Sequence, residues 1–170
     1  PDFQAMTVQI TQQSRDTTPH KICVIVPAYR VRAQILGVLE AIGPEVTRIY
    51  VIDDCCPDKT GKLVELNGQD PRVLVIYNQD NLGVGGAVIR GYREGIKEGM
   101  SVFVKIDGDG QMDPALLPKF IAPILETKAD YTKGTRFYSL ESLEGMPIIR
   151  TLGNSVLSLV NKFSSGYWDI

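Results

Sequence analysis

The chain has 170 residues, of which 44% are hydrophobic and 22% charged, a composition typical of one ordinary soluble domain with a continuous core. Lysine and arginine number 18 against 20 acidic residues, and the net charge of −2 excludes an overall positive field that could hold nucleic acid. His20 is the only histidine, which argues against Ser-His-Asp catalysis and against histidine-rich metal sites. A catalytic metal is therefore expected among oxygen ligands.

Cysteine usage and hydropathy bear on the location of the protein. Cys23, Cys55 and Cys56 are odd in number and lack metal-ligand spacing, and an adjacent pair is poorly placed for an ordinary disulfide, which favours a reducing compartment. No apolar run approaches the roughly 20 residues that span a bilayer, and the start of the chain does not resemble a signal peptide. We predict a cytoplasmic location, either free or at the cytoplasmic face of a membrane.

Strand and helix patterns alternate along the chain after a polar beginning. Residues 1–20 are rich in Gln and Thr and predict a tail or a peripheral strand. Buried strands are predicted at residues 22–26, 49–52, 73–77 and 101–106, and helices at residues 33–42, 82–97 and 114–126. The alternation predicts an α/β fold with a mostly parallel sheet and helices on both faces. Residues 137–147 predict a mobile loop, which is a candidate lid.

Three groups of candidate site residues follow the ends of predicted strands. They are Pro27-Ala28-Tyr29, Asp53-Asp54 and Asp107-Gly108-Asp109. Because ligands in open α/β sheets bind beyond the carboxyl ends of the strands, these distant groups are expected to meet at one edge of the sheet.

The acidic group at residues 107–113 predicts a metal site. Gly108 lets a ligand approach between Asp107 and Asp109, and Gln111 and Asp113 add further oxygens. Mg²⁺ or Mn²⁺ prefers such ligands and keeps positions open for phosphates and water. A solvated turn is the alternative, since Asp-Gly pairs are common in turns.

Two other readings of the acidic group can be tested on spacing. An EF-hand loop beginning at Asp107 requires glycine and glutamate where Met112 and Pro118 stand, so this reading fails. An aspartyl-phosphate enzyme with Asp107 as nucleophile remains an alternative. It resembles this chain only weakly, because Thr or Val normally follows its Asp-x-Asp-Gly, whereas Gln111 stands here.

The glycine-rich segment from Gly83 to Val88 invites a dinucleotide-binding interpretation, because glycines at the start of a helix present N–H groups to phosphate. Val88 occupies the third motif position, and the segment follows the third strand instead of the first. Close packing of the helix on the sheet is the alternative.

Five ordered motifs together resemble glycosyltransferase family 2. The motifs are Pro27-Ala28-Tyr29, Val51-Ile52-Asp53-Asp54, residues 81–87, residues 107–114 and Lys133-Gly134-Thr135-Arg136. The chain is most similar to the polyprenyl-phosphate sugar transferases of the dolichyl-phosphate mannose synthase group. This resemblance implies a GT-A fold over residues 21–170, a UDP- or GDP-sugar donor, Mg²⁺ or Mn²⁺, and inversion at the anomeric carbon.

The resemblance also implies roles for individual residues. Asp107, Asp109 and Gln111 would bind the metal, and Arg136 and Arg150 would hold the acceptor phosphate and join Asp107 and Asp109 in catalysis. The predicted nucleotide-sugar-binding residues are Pro27, Ala28, Tyr29, Asp53, Asp54, Gly85, Asp107, Gly108 and Asp109.

Some residues depart from the family pattern. Arg30-Val31 stands where Asn-Glu is usual, and Cys55-Cys56-Pro57 follows Asp54 in place of a serine-containing sequence. The acceptor motif Asp-Pro-x-x-Gly is expected after Ile170, so we expect a truncated domain and membrane association through a segment beyond it. Apolar residues at helical spacing in 148–163 predict a core or homodimer helix, with a helix at the membrane surface as the alternative.

The predicted function is therefore sugar transfer from a nucleotide diphosphate sugar to a polyprenyl phosphate or a related cell-surface glycan. Two alternatives stay open. One is a non-catalytic module that binds nucleotide sugars or serves in assembly, and the other is a family 2 transferase with a hydroxyl acceptor in polysaccharide synthesis.

Overall fold

The computed structural model describes residues 20–134, and its elements alternate between strand and helix. In chain order they are β1 (Ile22–Ala28), α1 (Ile35–Glu40), β2 (Arg48–Asp53), α2 (Thr60–Asn67), β3 (Val73–Tyr77), α3 (Gly83–Lys97), β4 (Val102–Lys105), a 3₁₀ turn (Pro114–Leu116) and α4 (Leu117–Leu125). The chain divides into two compact units after Lys128, and all of these elements belong to the first.

The four described strands form one parallel sheet in the order β3-β2-β1-β4. Val24 of β1 lies between Ile49 of β2 and Val104 of β4. Every residue of β1 is buried, as expected for a strand covered on both faces of a parallel sheet. The predicted parallel α/β architecture is confirmed.

Successive residues of β1 belong to two different cores, because side chains alternate between the faces of a strand. Val24 and Val26 pack in the core that includes buried residues of α1, α2 and α4. Cys23 and Ile25 pack on the opposite face with Ala87 of α3. Helices thus cover both faces of the sheet.

Helix α3 packs closely on β1 through residues without bulky side chains. Ala87, Gly91 and Gly95 are its buried residues. A methyl group added at Gly91 would lie 2.5 Å from Cγ2 of Ile25, whereas one added at Gly85 would meet no atom within 4 Å. The close packing considered for the glycine-rich segment therefore occurs two turns further along the helix.

Strand β1 is longer than predicted, because it continues through Pro27 to Ala28. The carbonyl of Ile25 accepts a bond from Ile106 on the β4 side, and that of Ala28 accepts one from Asp54 on the β2 side. Successive residues of a strand direct their backbone groups to opposite neighbours, so Pro27, like Ile25, directs its nitrogen towards β4. The pairing of β1 with β4 ends at Ile25. The missing proline N–H therefore breaks no bond of the described sheet.

The other differences concern short or marginal elements. Helix α2 was not predicted, and α1 is shorter than the predicted residues 33–42. Strand β3 has the predicted bounds but lies at the edge of the described sheet, so it is only partly buried, with Leu74 40% and Tyr77 47% exposed. Within residues 20–134, no helix has the length and apolar character needed to cross a membrane.

Candidate active site

A cleft of about 190 Å³ lies where the carboxyl ends of β1, β2 and β4 meet the first turn of α3. Its lining residues are Pro27, Ala28, Tyr29, Val31, Asp54, Val84, Ala87, Asp107, Gly108 and Asp109. Seven of these ten were predicted as nucleotide-sugar-binding residues. The structure thus brings the three sequence-distant groups together at the expected edge of the sheet.

Asp54 is the buried acid of the cleft, with 3% of its surface exposed. Its Oδ1 accepts hydrogen bonds from Nδ2 of Asn78 at 2.7 Å and from the backbone N–H of Leu82 at 3.0 Å. These bonds join the end of β2 to the end of β3 and to the start of α3. The position of the carboxylate is consequently fixed from two directions.

Asp53 is equally buried but does not line the cleft. Its Oδ1 accepts a bond from the N–H of Cys56 at 2.8 Å, and its Oδ2 accepts one from the N–H of Gly61 at 2.6 Å. One carboxylate oxygen therefore holds the loop after β2, and the other holds the first turn of α2. The structure places Asp53, a predicted nucleotide-binding residue, in a supporting position behind the cleft.

The two departures from the family pattern contact each other. The backbone N–H of Arg30, at the left-handed φ of 56°, donates to Sγ of Cys56 at 3.1 Å. Burial alone would raise the pKa of the Cys56 thiol, but hydrogen bonds from Thr60 and from backbone groups including Arg30 N–H outweigh it and lower that pKa. The Arg30 guanidinium lies over the ring of Tyr29, 5.4 Å from its centroid. This contact covers one side of a cleft residue.

Asp107 and Asp109 both line the cleft and are partly buried. Nζ of Lys105 lies 2.6 Å from the Asp107 carboxylate. Oδ1 of Asp109 accepts a bond from the N–H of Gln111 at 3.0 Å, and the Gln111 residue is exposed. The Asp113 carboxylate instead accepts the N–H of Ala115 and caps the following 3₁₀ turn.

The donor set suits a cation that is shared with a diphosphate. In the described part of the chain, no group of three or more His, Cys, Asp or Glu side chains could hold a metal ion by itself. Mg²⁺ is commonly held by one or two carboxylates, with substrate phosphates and water as its other ligands. Two cleft carboxylates with a neighbouring amide fit that mode of binding.

Gly85 lies in the exposed first turn of α3 and is not among the lining residues, although its neighbour Val84 is. The predicted residues Arg136 and Arg150 lie outside the described residues, as do the loop at 137–147, the apolar stripe at 148–163 and the first 19 residues.

Sequence reasoning missed three lining residues and two residues that bond to cleft acids. Val31 follows the recognised Pro-Ala-Tyr group by two positions, and the helical spacing of Val84 and Ala87 was a usable signal. Asn78, at the end of β3, and Lys105, two residues before Asp107, could have been suspected from their positions at strand ends.

Comparisons with known proteins bear on the family of the chain. Residues 23–163 match the family model described as Glycosyl transferase family 2. The chain is 30% identical over 161 residues to UDP-N-acetylglucosamine–dolichyl-phosphate N-acetylglucosaminyltransferase of Methanococcus voltae, covering 86% of this chain and 64% of that protein. It is 32% identical over 148 residues to polyprenol monophosphomannose synthase of Mycolicibacterium smegmatis, covering 84% of this chain and 55% of that protein. A solved structure of S. aureus TarS in complex with UDP-GlcNAc has 23% identity and a TM-score of 0.49, covering 71% of this chain and 36% of that chain.

The chain belongs to glycosyltransferase family 2. The predicted GT-A fold class is confirmed by this family match together with the parallel sheet. The predicted transferase class and the resemblance to polyprenyl-phosphate sugar transferases agree with the names of both relatives. The chain spans 64% and 55% of the lengths of these relatives.

Proposed function

We propose that this chain is the nucleotide-sugar-binding part of a metal-dependent transferase that moves a sugar from a UDP- or GDP-linked donor to a polyprenyl phosphate. The observation that carries the proposal is the single cleft that Asp54, Asp107 and Asp109 line together. One buried acid is available to a base, and two further acids are available to a metal-bound diphosphate. The relatives' names, which refer to dolichyl phosphate and polyprenol, support the acceptor class.

The donor would be held by groups with separate tasks. Asp54 accepts a hydrogen bond from the base, and its burial strengthens that bond because little water competes for the carboxylate. Asp107, Asp109 and Gln111 would hold Mg²⁺ or Mn²⁺, which would supply positive charge against the negative charge of a departing nucleoside diphosphate. Lys105 fixes the Asp107 carboxylate before the donor binds, because its ammonium group already pairs with that acid.

The acceptor side requires little proton transfer. A phosphate acceptor is already anionic at neutral pH, so it attacks without the strong general base that a hydroxyl requires. Arg136 and Arg150 are the proposed ligands of this phosphate, a task that suits planar guanidinium groups. Since polyprenyl phosphate is a lipid, we place the reaction at the cytoplasmic face of a membrane.

The donor half can be tested by calorimetry with UDP and GDP, in the presence and absence of Mn²⁺. We expect Mn²⁺-dependent binding of at least one nucleotide, weakened at least about tenfold in Asp109→Asn because a cleft carboxylate is lost. Asp58→Asn removes an exposed acid outside the cleft lining and serves as the matched control. A folded protein that binds neither nucleotide in a metal-dependent way would contradict the proposal.

The acceptor half requires a transfer assay. Labelled sugar should move from the nucleotide donor to polyprenyl phosphate in a protein extended to the length of its relatives, and Asp109→Ala should abolish that transfer. Transfer to a glycan hydroxyl, with none to polyprenyl phosphate, would contradict the proposed acceptor and support the alternative of a hydroxyl acceptor. Release of phosphate from a generic ester would instead support the phosphatase alternative.

A further inference from the structure

The Lys105 ammonium group contacts both oxygens of a carboxylate that lines the cleft. Its Nζ lies 2.6 Å from Oδ2 and 2.6 Å from Oδ1 of Asp107. Within residues 20–134, no other lysine or arginine forms an ion pair with an acid of the cleft lining. The hydrogen bonds described for Asp109 and Asp54 come from neutral N–H groups. In the described structure Lys105 is therefore the charged partner of the cleft acids.

Strand β4 directs the Lys105 side chain to the face of the sheet that α3 covers. Lys105 lies in register with Ile25 of β1, and Ile25 packs on that face with Ala87 of α3. Phe103, two residues before Lys105, packs there as well, as expected because residues two apart on a strand share a face. The lysine therefore approaches the cleft from the side on which α3 lies, and its flexible stem allows the ammonium group to move while the backbone stays in place.

The pair of Lys105 and Asp107 is suited to exchange. Their side chains are 32% and 34% exposed, and ion pairs that water reaches to this extent contribute little to stability. A better partner for either charge can thus replace the pair at small cost. A divalent cation is such a partner for the carboxylate, and a phosphate group is such a partner for the ammonium group.

The ammonium group and a divalent cation compete for the same carboxylate. If a cation takes Asp107 while Lys105 has no other partner, two positive centres lie side by side, which is unfavourable. A diphosphate removes this conflict, because its oxygens accept bonds from the displaced ammonium group. We propose that Lys105 is an exchangeable partner of Asp107, which holds the carboxylate in the free protein and binds the donor's diphosphate once a cation has taken the acid. The inference rests on the proposed function, because it assigns a residue to the diphosphate of that donor.

Cooperative binding is the measurable consequence of this exchange. Mn²⁺ alone must displace Lys105 without compensation, whereas Mn²⁺ together with a nucleoside diphosphate leaves every charge with a partner. The nucleotide therefore raises the affinity for Mn²⁺, and by linkage Mn²⁺ raises the affinity for the nucleotide by the same factor. Part of this factor belongs to Lys105 and disappears with its charge.

The first test is a titration of the 170-residue protein with Mn²⁺ alone, in which electron paramagnetic resonance measures the free ion. In Lys105→Met the competing charge is gone, and we expect Mn²⁺ to bind at least about fivefold more tightly than in the unmodified protein. A lysine that only fixes the Asp107 carboxylate predicts the opposite sign, because its loss would loosen a metal ligand. Lys105→Arg keeps the charge and should leave the affinity for Mn²⁺ within about twofold of the unmodified value.

The second test repeats the titration with UDP or GDP, whichever the protein binds. The factor by which the nucleotide raises the affinity for Mn²⁺ should fall at least about fivefold in Lys105→Met, because the diphosphate has lost its lysine partner and Mn²⁺ has lost its competitor. Lys128→Met is the matched control. Lys128 also pairs with an acid two residues away, Glu126, at 2.6 Å, but neither residue lines the cleft, so both affinities should stay unchanged.

An affinity for Mn²⁺ in the folded Lys105→Met protein that equals or falls below that of the unmodified protein overturns the inference. The proposed function then stands if the unmodified protein binds a nucleotide in an Mn²⁺-dependent way. Failure of both nucleotides to bind with Mn²⁺ contradicts the inference and the proposed function together. Thermal unfolding identifies a variant that has lost its fold, and in that case Lys105→Gln, which also removes the charge, takes its place with the same expected results.

Discussion

Asp53 and Asp54 are adjacent and equally buried, yet their carboxylates do different work. Asp53 holds the N–H groups of Cys56 and Gly61, and Asp54 faces the cleft. The difference arises because successive side chains at the end of a strand leave on opposite sides. The sequence predicted an acidic pair at a strand end, but it could not show which of the two carboxylates would accept hydrogen bonds from the backbone that follows.

Asp53→Asn should destabilise the protein. The amide nitrogen would face a backbone N–H that now donates to a carboxylate oxygen, and we expect a loss of about 2–3 kcal/mol in the free energy of unfolding. Denaturant unfolding measures the change, with the exposed Asp58→Asn as control. Stability equal to that of the unmodified protein would show that the loop does not depend on these bonds.

The loops that follow β1 and β2 contain backbone conformations that the sequence does not predict. Arg30, Cys55 and Lys59 have left-handed φ values of 56°, 54° and 53°. Such conformations are uncommon for residues other than glycine, and no local propensity predicts them. The contact between Arg30 and Cys56, which joins two sequence departures, depends on this backbone geometry.

At the scale of elements, hydrophobic periodicity predicted the strands and the long helices well. The bounds of β3 are those predicted, and α3 begins only one residue after its predicted start. The missed helix, α2, has eight residues and one glycine, which leaves too little apolar repetition to identify it. Its first turn is held by Gly61 N–H on Asp53 and its buried face by Val64, and both are tertiary contacts.

Two glycines of α3 provide a matched pair of substitutions. Gly85→Ala should raise the free energy of unfolding by roughly 0.5–1 kcal/mol, because alanine favours the helix and its methyl group meets no atom. Gly91→Ala should lower it by about 1–3 kcal/mol, because the methyl group would lie 2.5 Å from Cγ2 of the buried Ile25. Denaturant unfolding measures both changes in the free energy of unfolding, and the prediction fails if the two changes have the same sign. Nucleotide affinity of Gly85→Ala would also test the predicted binding role of Gly85.

In the molecule as a whole, one arginine side chain connects segments that are distant in sequence. Arg72, just before β3, donates to the carbonyls of Ile42, Gly43 and Val46 and forms an ion pair with Asp70 at 2.7 Å. The hydrogen bonds from Arg72 lower the pKa of Asp70 below its ordinary value of 3.8. The Arg72 side chain thus joins the connection between α1 and β2 to the start of β3, and Asp70 holds that side chain in place.

The Asp70–Arg72 pair makes stability dependent on acid. Because the folded pKa of Asp70 is depressed, its contribution is fully present above the unfolded pKa and is lost as the pH falls through the folded pKa. We expect Asp70→Asn to cost about 1 kcal/mol at neutral pH, and this difference should shrink below about pH 4. Urea unfolding of both proteins between about pH 3 and 7, a range that includes the expected change, measures this difference in the free energy of unfolding. In an Arg72→Met background the same substitution should lose most of its pH dependence, and an undiminished dependence would contradict this assignment.

The convergence of the site was predictable at this scale, because parallel strands share one edge for their carboxyl ends. The contacts within the site were not. The contact of Asn78 with Asp54 brings together side chains from the ends of two neighbouring strands, β3 and β2. It depends on strand register and on the direction in which each strand ends, and both follow from the assembled sheet.

The close packing of α3 on β1 affects how the size of the cleft can change through substitution. Val84 lines the cleft, and Gly91 contacts β1 from a position seven residues further along the helix, roughly 10 Å away along the axis. A bulkier residue at that remote position would lift the helix and move the cleft wall outward, with every ligand-facing side chain retained. Altered donor preference can thus arise from substitutions that no ligand touches, and a search for variants that accept larger donors should include the underside of this helix.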